Sequence, residues 1–380
     1  MAATPYKISV PDSVLDDLQE RLARTRWPDE VENSGWSMGT NLAYTRELAG
    51  YWQREYDWRK QEAELNKLAQ YKVEIDGVSV HYVHERSKGP NPTPIILTHG
   101  WPDSFYRFHK VIPMLTDPAS YGGNAEDSFD VVVPSVPGFG FSDRKAMTSS
   151  AVADLWAKLM TEVLGYERFA AAGGDVGTNV TKALARQHPE LLTGIHLTDV
   201  GYPTGQEDFS TMTEAEREYA GFTQGWWFTQ GAYNMMQSTK PQTIAFGLND
   251  SPVGLASWIL SFVDTGADNH QVEAAFGGRD DLLTNITIYW ATQTAGSAAR
   301  MYREEARATY AHEGGPQPVG RSEVPASVAL FPREGQFPRE WAERTLNVQR
   351  FTKMPRGGHF AALEEPELYA NDLRESFHRG

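Results

Sequence analysis

The spacing of apolar residues changes along the chain, from a helical period near the N-terminus to short alternating or continuous runs further on. Apolar side chains three and four positions apart predict amphipathic helices in residues 11–27 and 41–68. The apolar positions of the first segment are Val14, Leu15, Leu18 and Leu22. The second segment is rich in tyrosine and tryptophan. We expect residues 1–70 to form a helical meander that packs against a larger unit.

From residue 71 onward, predicted strands alternate with predicted helices. Asp76-Gly77 separates two alternating runs, a pattern typical of a tight β-hairpin. Further strands are predicted at residues 94–98, 129–133, 166–172, 192–198, 325–331 and 346–354, and helices at residues 105–115, 151–164, 179–187 and 367–378. This alternation predicts an α/β fold with a mostly parallel central sheet, whose ligand site lies at the carboxyl ends of the strands.

The alternation stops between residues 201 and 289, where glycine, threonine and aromatic residues are abundant. An insertion of this size after a sheet strand is typical of a helical lid over the site. We therefore divide the chain into the meander (1–70), a first core part (71–200), the lid (201–300) and a second core part (301–380). Residues 314–320 are predicted to be a loop.

Composition excludes several classes of function. The chain has no cysteine, so it has no disulfide, no thiolate metal site and no cysteine nucleophile. A formal net charge of −15 argues against nucleic acid or an anionic membrane as the main partner. The N-terminus lacks the pattern of a signal peptide, and no apolar run reaches the roughly 18 residues of a membrane span. We expect a cytoplasmic protein.

Residues 170–178, with the sequence A-A-A-G-G-D-V-G-T, lie between a predicted strand and a predicted helix. Small residues at such a junction are typical of a nucleophile elbow, which projects one side chain over the sheet edge. Here the central residue is Asp175 where the familiar motif has serine. A carboxylate that attacks a saturated carbon forms an ester that water can cleave, whereas serine would form an ether. The alternative interpretation is that Asp175 is an ordinary helix N-cap.

Two further polar residues each follow a predicted strand and complete a constellation with Asp175. The order Asp175, Glu334, His359 is that of nucleophile, acid and base in α/β-hydrolases. Asp199 also follows a strand and can compete with Glu334, which we favour, as the partner of His359. Weaker rivals are Asp264 and Asp268. The sequence contains no H-E-x-x-H pair, so no metal site is predicted.

Short motifs then occur in a fixed order along almost the whole chain. They are R-T-R-W-P (24–28), H-G-W-P (99–102), P-G-F-G-F-S (137–142), G-G-D-V-G (173–177), K-P-Q-T (240–243), L-N-D-S-P-V-G-L (248–255), D-D-L-L-T-N (280–285) and R-G-G-H-F-A-A-L-E-E-P-E (356–367). As an ordered set they resemble the microsomal type of epoxide hydrolase, in its soluble bacterial form. The resemblance implies an α/β-hydrolase fold and conversion of an epoxide and water to a vicinal diol.

The resemblance also implies a role for each matching residue. Asp175 matches the nucleophile that becomes alkylated, His359 the base that activates water, and Glu334 the acid that orients the base. The family holds the epoxide oxygen with two lid tyrosines, which match Tyr302 and Tyr233.

The backbone amides of Trp101 and Val176 match the oxyanion hole of the family. Val176 is a departure, because many relatives have tryptophan after the nucleophile. We predict Trp101, Trp227 and Phe228 as substrate contacts. The resemblance implies a small-molecule epoxide as partner and no cofactor, and the family's habit makes a homodimer plausible.

Two competing functions use the same fold. A haloalkane dehalogenase also has an aspartate nucleophile, but it needs N–H donors for the halide, commonly a tryptophan at the position of Val176. The two tyrosines favour epoxide chemistry instead. A non-catalytic ligand receptor is the other alternative, and release of a diol from an epoxide would distinguish it from an enzyme.

Overall fold

A computed structural model of the chain describes residues 2–205, 207–311 and 320–378. The strands are β1 (Thr4–Pro5), β2 (Gln70–Ile75), β3 (Val78–Glu85), β4 (Thr93–Thr98), β5 (Phe129–Pro134), β6 (Phe169–Gly173), β7 (Leu192–Leu197), β8 (Ser322–Leu330) and β9 (Leu346–Lys353). They form one sheet in the order β1-β2-β3-β5-β4-β6-β7-β8-β9. The strands β1, β2 and β3 are antiparallel, and β4 to β9 run parallel. The predicted α/β fold with a mostly parallel sheet is confirmed.

The helices are α1 (Asp12–Ala23), α2 (Leu42–Arg54), α3 (Trp58–Leu65), α4 (Val111–Thr116), α5 (Ser149–Lys158), α6 (Val176–Gln187), α7 (Glu214–Gln230), α8 (Ala232–Thr239), α9 (Pro241–Asp250), α10 (Pro252–Gly266), α11 (Arg279–Thr292), α12 (Ala295–Thr309), α13 (Arg339–Glu343), α14 (Ala361–Glu364) and α15 (Pro366–Phe377). They cover both faces of the sheet. On β4, Ile96 belongs to the same apolar cluster as α5 and α6, whereas Ile95 and Leu97 belong to that of α4 and α15. Alternate residues of the strand therefore face opposite cores, as a doubly covered parallel sheet requires.

The expected single helix over residues 105–115 is wrong. A 3-10 turn, Phe105–Phe108, comes first, and α4 starts only at Val111. In an uninterrupted helix Pro113 would leave one hydrogen bond unmade and its ring would clash with the carbonyl four residues earlier. Restarting the helix places Pro113 in the first turn of α4, where this conflict does not arise.

Six helices, α7 to α12, make up most of the chain between β7 and β8, and we call residues 214–309 the helical insertion. The predicted boundary at residue 300 falls within α12. The division of the chain into four units stays a prediction, and residues 314–319 of the predicted loop lie outside the described residues. Across the described part of the chain, no helix combines the length and the apolar character needed to span a bilayer.

The N-terminal helices are attached to the insertion by side chains that donate hydrogen bonds to α11. Tyr51 donates to Asp280 at 2.7 Å, and the indole of Trp52 donates to Thr287 at 3.1 Å. The helix α11 in turn contacts the core: Asn285 donates to the carbonyl of Pro102 at 2.8 Å. The insertion is therefore connected to the loop that follows β4, at the carboxyl edge of the sheet.

Candidate active site

Asp175 occupies the turn between β6 and α6. Its backbone has φ 57° and ψ −126°, a combination that costs a non-glycine residue roughly 1–3 kcal/mol. Although it stands at the N-cap position, its side chain makes no capping hydrogen bond. The carboxylate instead reaches across the sheet edge, and Oδ1 accepts a hydrogen bond of 2.8 Å from the backbone N–H of Trp101. The interpretation of Asp175 as an ordinary N-cap is therefore wrong.

Two glycines allow this close approach of backbone and carboxylate. A Cβ atom added to Gly100 would lie 2.4 Å from Asp175 Oδ1. One added to Gly177 would lie 2.0 Å from the carbonyl oxygen of Thr98. Both distances are far below van der Waals contact, so these positions accept only glycine without movement of the site.

His359 follows β9 and its imidazole lies between two carboxylates. Nδ1 is 2.6 Å from Glu334 Oε1, and Nε2 is 3.5 Å from Asp175 Oδ2. Both His359 and Glu334 are buried. The backbone N–H of His359 donates to the carbonyl of Gly266, the last residue of α10, at 3.0 Å. The structure thus brings Asp175, Glu334 and His359 together in the arrangement of nucleophile, base and orienting acid.

Asp199, the rival acid, is engaged elsewhere. Its Oδ2 accepts hydrogen bonds from the backbone N–H of Asp175 at 2.7 Å and from the hydroxyl of Thr178 at 2.6 Å. Burial, followed by the charge of Glu334, raises the pKa of Asp199 to about 6. The two weaker rivals also have other partners. Asp268 accepts from the Gly357 N–H at 3.0 Å, and Asp264 lies 3.5 Å from His270 Nδ1. The geometry therefore favours Glu334 as the partner of His359.

The charges of the site shift two of its pKa values. Burial lowers the pKa of His359, but the carboxylates of Glu334 and Asp175 outweigh it and raise the pKa to about 9. Burial raises the pKa of Asp175, an effect opposed by His359 and by the amides of Trp101 and Val176. The two carboxylates thus favour the protonated imidazole, and His359 and the two backbone amides partly offset the effect of burial on the pKa of Asp175.

Three aromatic side chains lie together beside Asp175. The ring of Tyr233 stacks on the indole of Trp101, with centroids 5.0 Å apart and 9° between the planes. The ring of Tyr302 meets that indole edge-on at 6.1 Å and lies 6.4 Å from the ring of Tyr233. Burial, then the charge of Asp175, raises the pKa of both tyrosines well above the ordinary value. Both phenols therefore stay protonated and can donate hydrogen bonds.

The predicted aromatic substrate contacts fall in different places. Trp227 lines, with Val176 and Tyr302, a cavity of about 1080 Å³. The structure does not bring Phe228 to the site, since its side chain is 93% exposed. Successive residues on a helix point about 100° apart, so Trp227 and its neighbour Phe228 face different directions. Of these two residues, only Trp227 is turned towards the cavity.

A buried ion pair near the site was not predicted. Asp103 and Arg107 are paired side by side, with the side chains 0% and 1% exposed. Arg107 also donates to the backbone carbonyl of His359 at 2.7 Å. The signal in the sequence was a pair of opposite charges four residues apart directly after H-G-W-P, in a largely apolar segment. Residues 2–205, 207–311 and 320–378 hold no group of three or more His, Cys, Asp or Glu suited to a metal ion.

Over nearly its full length, the chain is similar to proteins that are named as epoxide hydrolases. Residues 3–108 match a family described as epoxide hydrolase N terminus, and residues 93–278 match one described as alpha/beta hydrolase fold. A Stigmatella aurantiaca protein, whose name proposes an epoxide hydrolase, is 44% identical over 98% of this chain and 84% of its own length. Epoxide hydrolase 1 of Oryctolagus cuniculus is 36% identical over 97% of this chain and 87% of its own. The solved structure of Aspergillus niger epoxide hydrolase is 28% identical and superposes with a TM-score of 0.83, covering 99% of this chain and 96% of that one.

Proposed function

The chain belongs to the epoxide hydrolase family, and from that premise we propose that it hydrolyses an epoxide to a vicinal diol through an ester on Asp175. The observation that carries the proposal is that the two oxygens of the Asp175 carboxylate have different neighbours. Oδ1 accepts the Trp101 N–H at 2.8 Å, and Oδ2 lies 3.5 Å from His359 Nε2. Because the Trp101 N–H bonds to Oδ1, we assign Oδ2 as the oxygen that attacks.

In the first step Oδ2 attacks one carbon of the three-membered ring from the side opposite the breaking C–O bond. Tyr233 and Tyr302 hydrogen-bond the epoxide oxygen, which develops negative charge as the ring opens, and one phenol supplies its proton. Because burial keeps both phenols protonated in the resting site, they are ready donors. The product of this step is a hydroxyalkyl ester of Asp175.

In the second step His359 removes a proton from water, and the hydroxide attacks the carbonyl carbon of the ester. The oxyanion then forms on Oδ1, the oxygen that Trp101 already contacts, with the amide of Val176 as second donor. One such donor is worth on the order of 3 kcal/mol in the transition state. Collapse breaks the bond to the substrate oxygen, and the departing alkoxide takes the proton of the newly formed carboxylic acid. This releases the diol and restores the carboxylate, while His359 keeps the proton that it took from water.

Alkylation also prepares the base. The charge of Asp175 is one of the causes that raise the pKa of His359 to about 9, and esterification removes that charge. The pKa of the imidazole therefore falls once the ester has formed. His359 then releases its proton to solvent, and the tyrosinate formed in the first step takes up a proton from solvent. After this exchange, His359 is a neutral base. Glu334 orients the ring throughout and stabilises the imidazolium that forms.

The helical insertion fits the role of a lid. Tyr233 and Tyr302 both belong to it, on α8 and α12, so an epoxide must lie between the insertion and the edge of the sheet. Trp101, whose indole contacts the rings of Tyr233 and Tyr302, and Trp227, which lines a cavity with Tyr302, are proposed as substrate contacts. A small-molecule epoxide is the proposed partner.

The test is a single turnover in water enriched in heavy oxygen, with enzyme in excess over racemic styrene oxide. Mass analysis of peptides that contain Asp175 should find the heavy oxygen in this carboxylate, because water attacks the ester carbonyl. Heavy oxygen found only in the diol would show direct attack by water and would exclude the ester. Halide release from haloalkanes without turnover of epoxides would indicate a dehalogenase, and tight binding without turnover of either would indicate a receptor.

A further inference from the structure

Arg107 lies inside the protein, where three loops of the active site meet. Its side chain is 1% exposed and projects from the 3-10 turn Phe105–Phe108. Nη2 donates to the backbone carbonyl of His359 at 2.7 Å. A Cβ atom placed on Gly174, the residue before the nucleophile, would lie 3.0 Å from the same nitrogen. The guanidinium therefore bonds to the loop of the base and lies close beside the loop of the nucleophile.

Asp103 connects this guanidinium to the third loop. One carboxylate oxygen, Oδ2, pairs with Arg107 Nη1, and the other, Oδ1, accepts the backbone N–H of Gly100 at 2.8 Å. Gly100 directly precedes Trp101, whose N–H contacts Asp175. The loop is held from its other side too, because Tyr289 donates to the carbonyl of Asp103 at 2.6 Å. An unbroken chain of contacts thus runs from the Trp101 amide, through Asp103 and Arg107, to the backbone of His359.

We propose that Asp103 and Arg107 form a positioning pair that fixes the backbone of the base His359 relative to the amide donor of Trp101. The proposal rests on the proposed function, in which the base and this donor act together only when water attacks the ester. A buried ion pair seldom stabilises a fold more than apolar residues of the same size would. A guanidinium, in contrast, presents several donors in a fixed plane and can bond a carboxylate and a carbonyl simultaneously.

The charges around Arg107 agree with this role. Burial lowers the pKa of Arg107, but the charges of Asp103 and Asp175 raise it by more, so the guanidinium stays ionised. The positive charge in turn lowers the pKa of His359, opposing the two carboxylates that raise it. Arg107 therefore limits the basicity of the imidazole and also holds the backbone of the same residue.

A positioning role of this kind has a kinetic signature. Ester formation uses Asp175 and the tyrosines, and ester hydrolysis uses His359. If hydrolysis alone slows, the ester accumulates, so kcat and KM fall together while kcat/KM changes little. A general loosening of the fold would lower kcat/KM and the melting temperature instead.

The decisive variant is the double substitution Asp103→Asn with Arg107→Met. The asparagine oxygen can still accept the Gly100 N–H, and methionine fills most of the space of the arginine stem. No uncompensated buried charge remains, and the carbonyl of His359 loses its donor. We expect the rate of ester hydrolysis to fall on the order of 10²-fold, as for a displacement of about 1 Å in a catalytic group.

The chain offers a control pair with the same hydrogen-bond pattern in Asp130 and Arg86, although Arg86 is 63% exposed and Arg107 is 1% exposed. Asp130 accepts the backbone N–H of Ser87 at 2.9 Å with one oxygen and pairs with Arg86 at 2.6 Å through the other. The double substitution Asp130→Asn with Arg86→Met therefore makes the same chemical change at the amino end of β5, whereas the candidate site lies at the carboxyl edge of the sheet. It should leave the rate of ester hydrolysis unchanged.

The measurement is intact mass after rapid quenching, with styrene oxide as the probe, which follows formation and decay of the ester separately. Circular dichroism and melting curves establish that each variant is folded. Should the double variant fail to fold, Arg107→Lys serves instead, since one ammonium is a poor substitute for a guanidinium that bonds two partners. Slow ester decay in either folded variant supports the pair, and decay at the wild-type rate overturns it. Turnover by the wild-type protein in which heavy oxygen enters only the diol, and none enters Asp175, refutes the proposed function itself, so the two failures are distinguishable.

Discussion

Replacing Gly100 by alanine tests the geometry of the nucleophile with a single methyl group. The added Cβ would lie 2.4 Å from Asp175 Oδ1 and 2.5 Å from Asp175 Cβ. Ordinary van der Waals contact begins at 3.4 Å, so the carboxylate and the Gly100 backbone must separate by about 1 Å. Gly100 has no positive φ, so the substitution adds steric pressure without backbone strain.

The expected loss follows from the hydrogen bond that this shift breaks. The Trp101 N–H now lies 2.8 Å from Oδ1, and a movement of about 1 Å takes the pair beyond hydrogen-bonding distance. Loss of one oxyanion donor costs about 10²- to 10³-fold in kcat. We therefore expect Gly100→Ala to lower kcat for epoxide hydrolysis by at least about 10²-fold.

The assay is diol formation from styrene oxide, followed by chiral chromatography, with the melting temperature measured in parallel. Gly247→Ala is the matched control, because a Cβ there meets nothing within 4 Å and the residue is exposed on α9. The control should keep wild-type activity. A folded Gly100→Ala protein with activity within about threefold of the control would refute the assignment of Oδ1 to the oxyanion hole.

Three further predictions concern the base, the tyrosines and stability. His359→Gln should form the ester but not hydrolyse it, so intact mass should show a stable adduct. If the adduct also forms when Asp175 is changed to asparagine, it is carried by a residue other than Asp175. Tyr302→Phe should lower the rate of ester formation by roughly 10²- to 10³-fold through loss of one donor, and unchanged single-turnover alkylation would contradict that role. Burial raises the pKa of Asp372, but its buried histidine partner and an arginine lower it to about 2. Its ionised form therefore stabilises the fold above pH about 4, and this stability is lost as pH falls towards 2, so Asp372→Asn should cost about 2 kcal/mol at pH 7 and progressively less in acid. Equal urea midpoints at pH 7 would exclude this linkage.

The elements that could be read from sequence are those whose local pattern coincides with their tertiary environment. The strand-turn-helix junction at Asp175 is one of them, because glycines on both sides, Gly174 and Gly177, permit the tight turn between β6 and α6 whatever the rest of the chain does. The mostly parallel sheet is another, since strands that alternate with helices leave few other topologies. The prediction of a single helix at residues 105–115 was wrong, although Pro113, which conflicts with an uninterrupted helix, is visible in the sequence.

The choice between Glu334 and Asp199 depended on contacts between distant parts of the chain. Both follow neighbouring strands, β8 and β7, so sequence alone allows either to reach His359. The structure separates them because Asp199 is occupied by the Asp175 N–H at 2.7 Å, whereas Glu334 lies 2.6 Å from the imidazole. Which acid contacts the base is set by side-chain direction at the strand ends, and periodicity carries no information about that direction.

The amino-acid sequence by itself determined the fold class, the place of Asp175 at the turn between β6 and α6, and the chain order of Asp175, Glu334 and His359, because these depend on local turn chemistry and on the alternation of strands and helices. The tertiary structure decided which acid meets His359, that Phe228 points to solvent, and that Arg107 reaches the carbonyl of a residue 252 positions away. Such contacts arise when the carboxyl ends of parallel strands meet at one edge. Their geometry depends on how the whole core packs, which no short segment of the chain encodes.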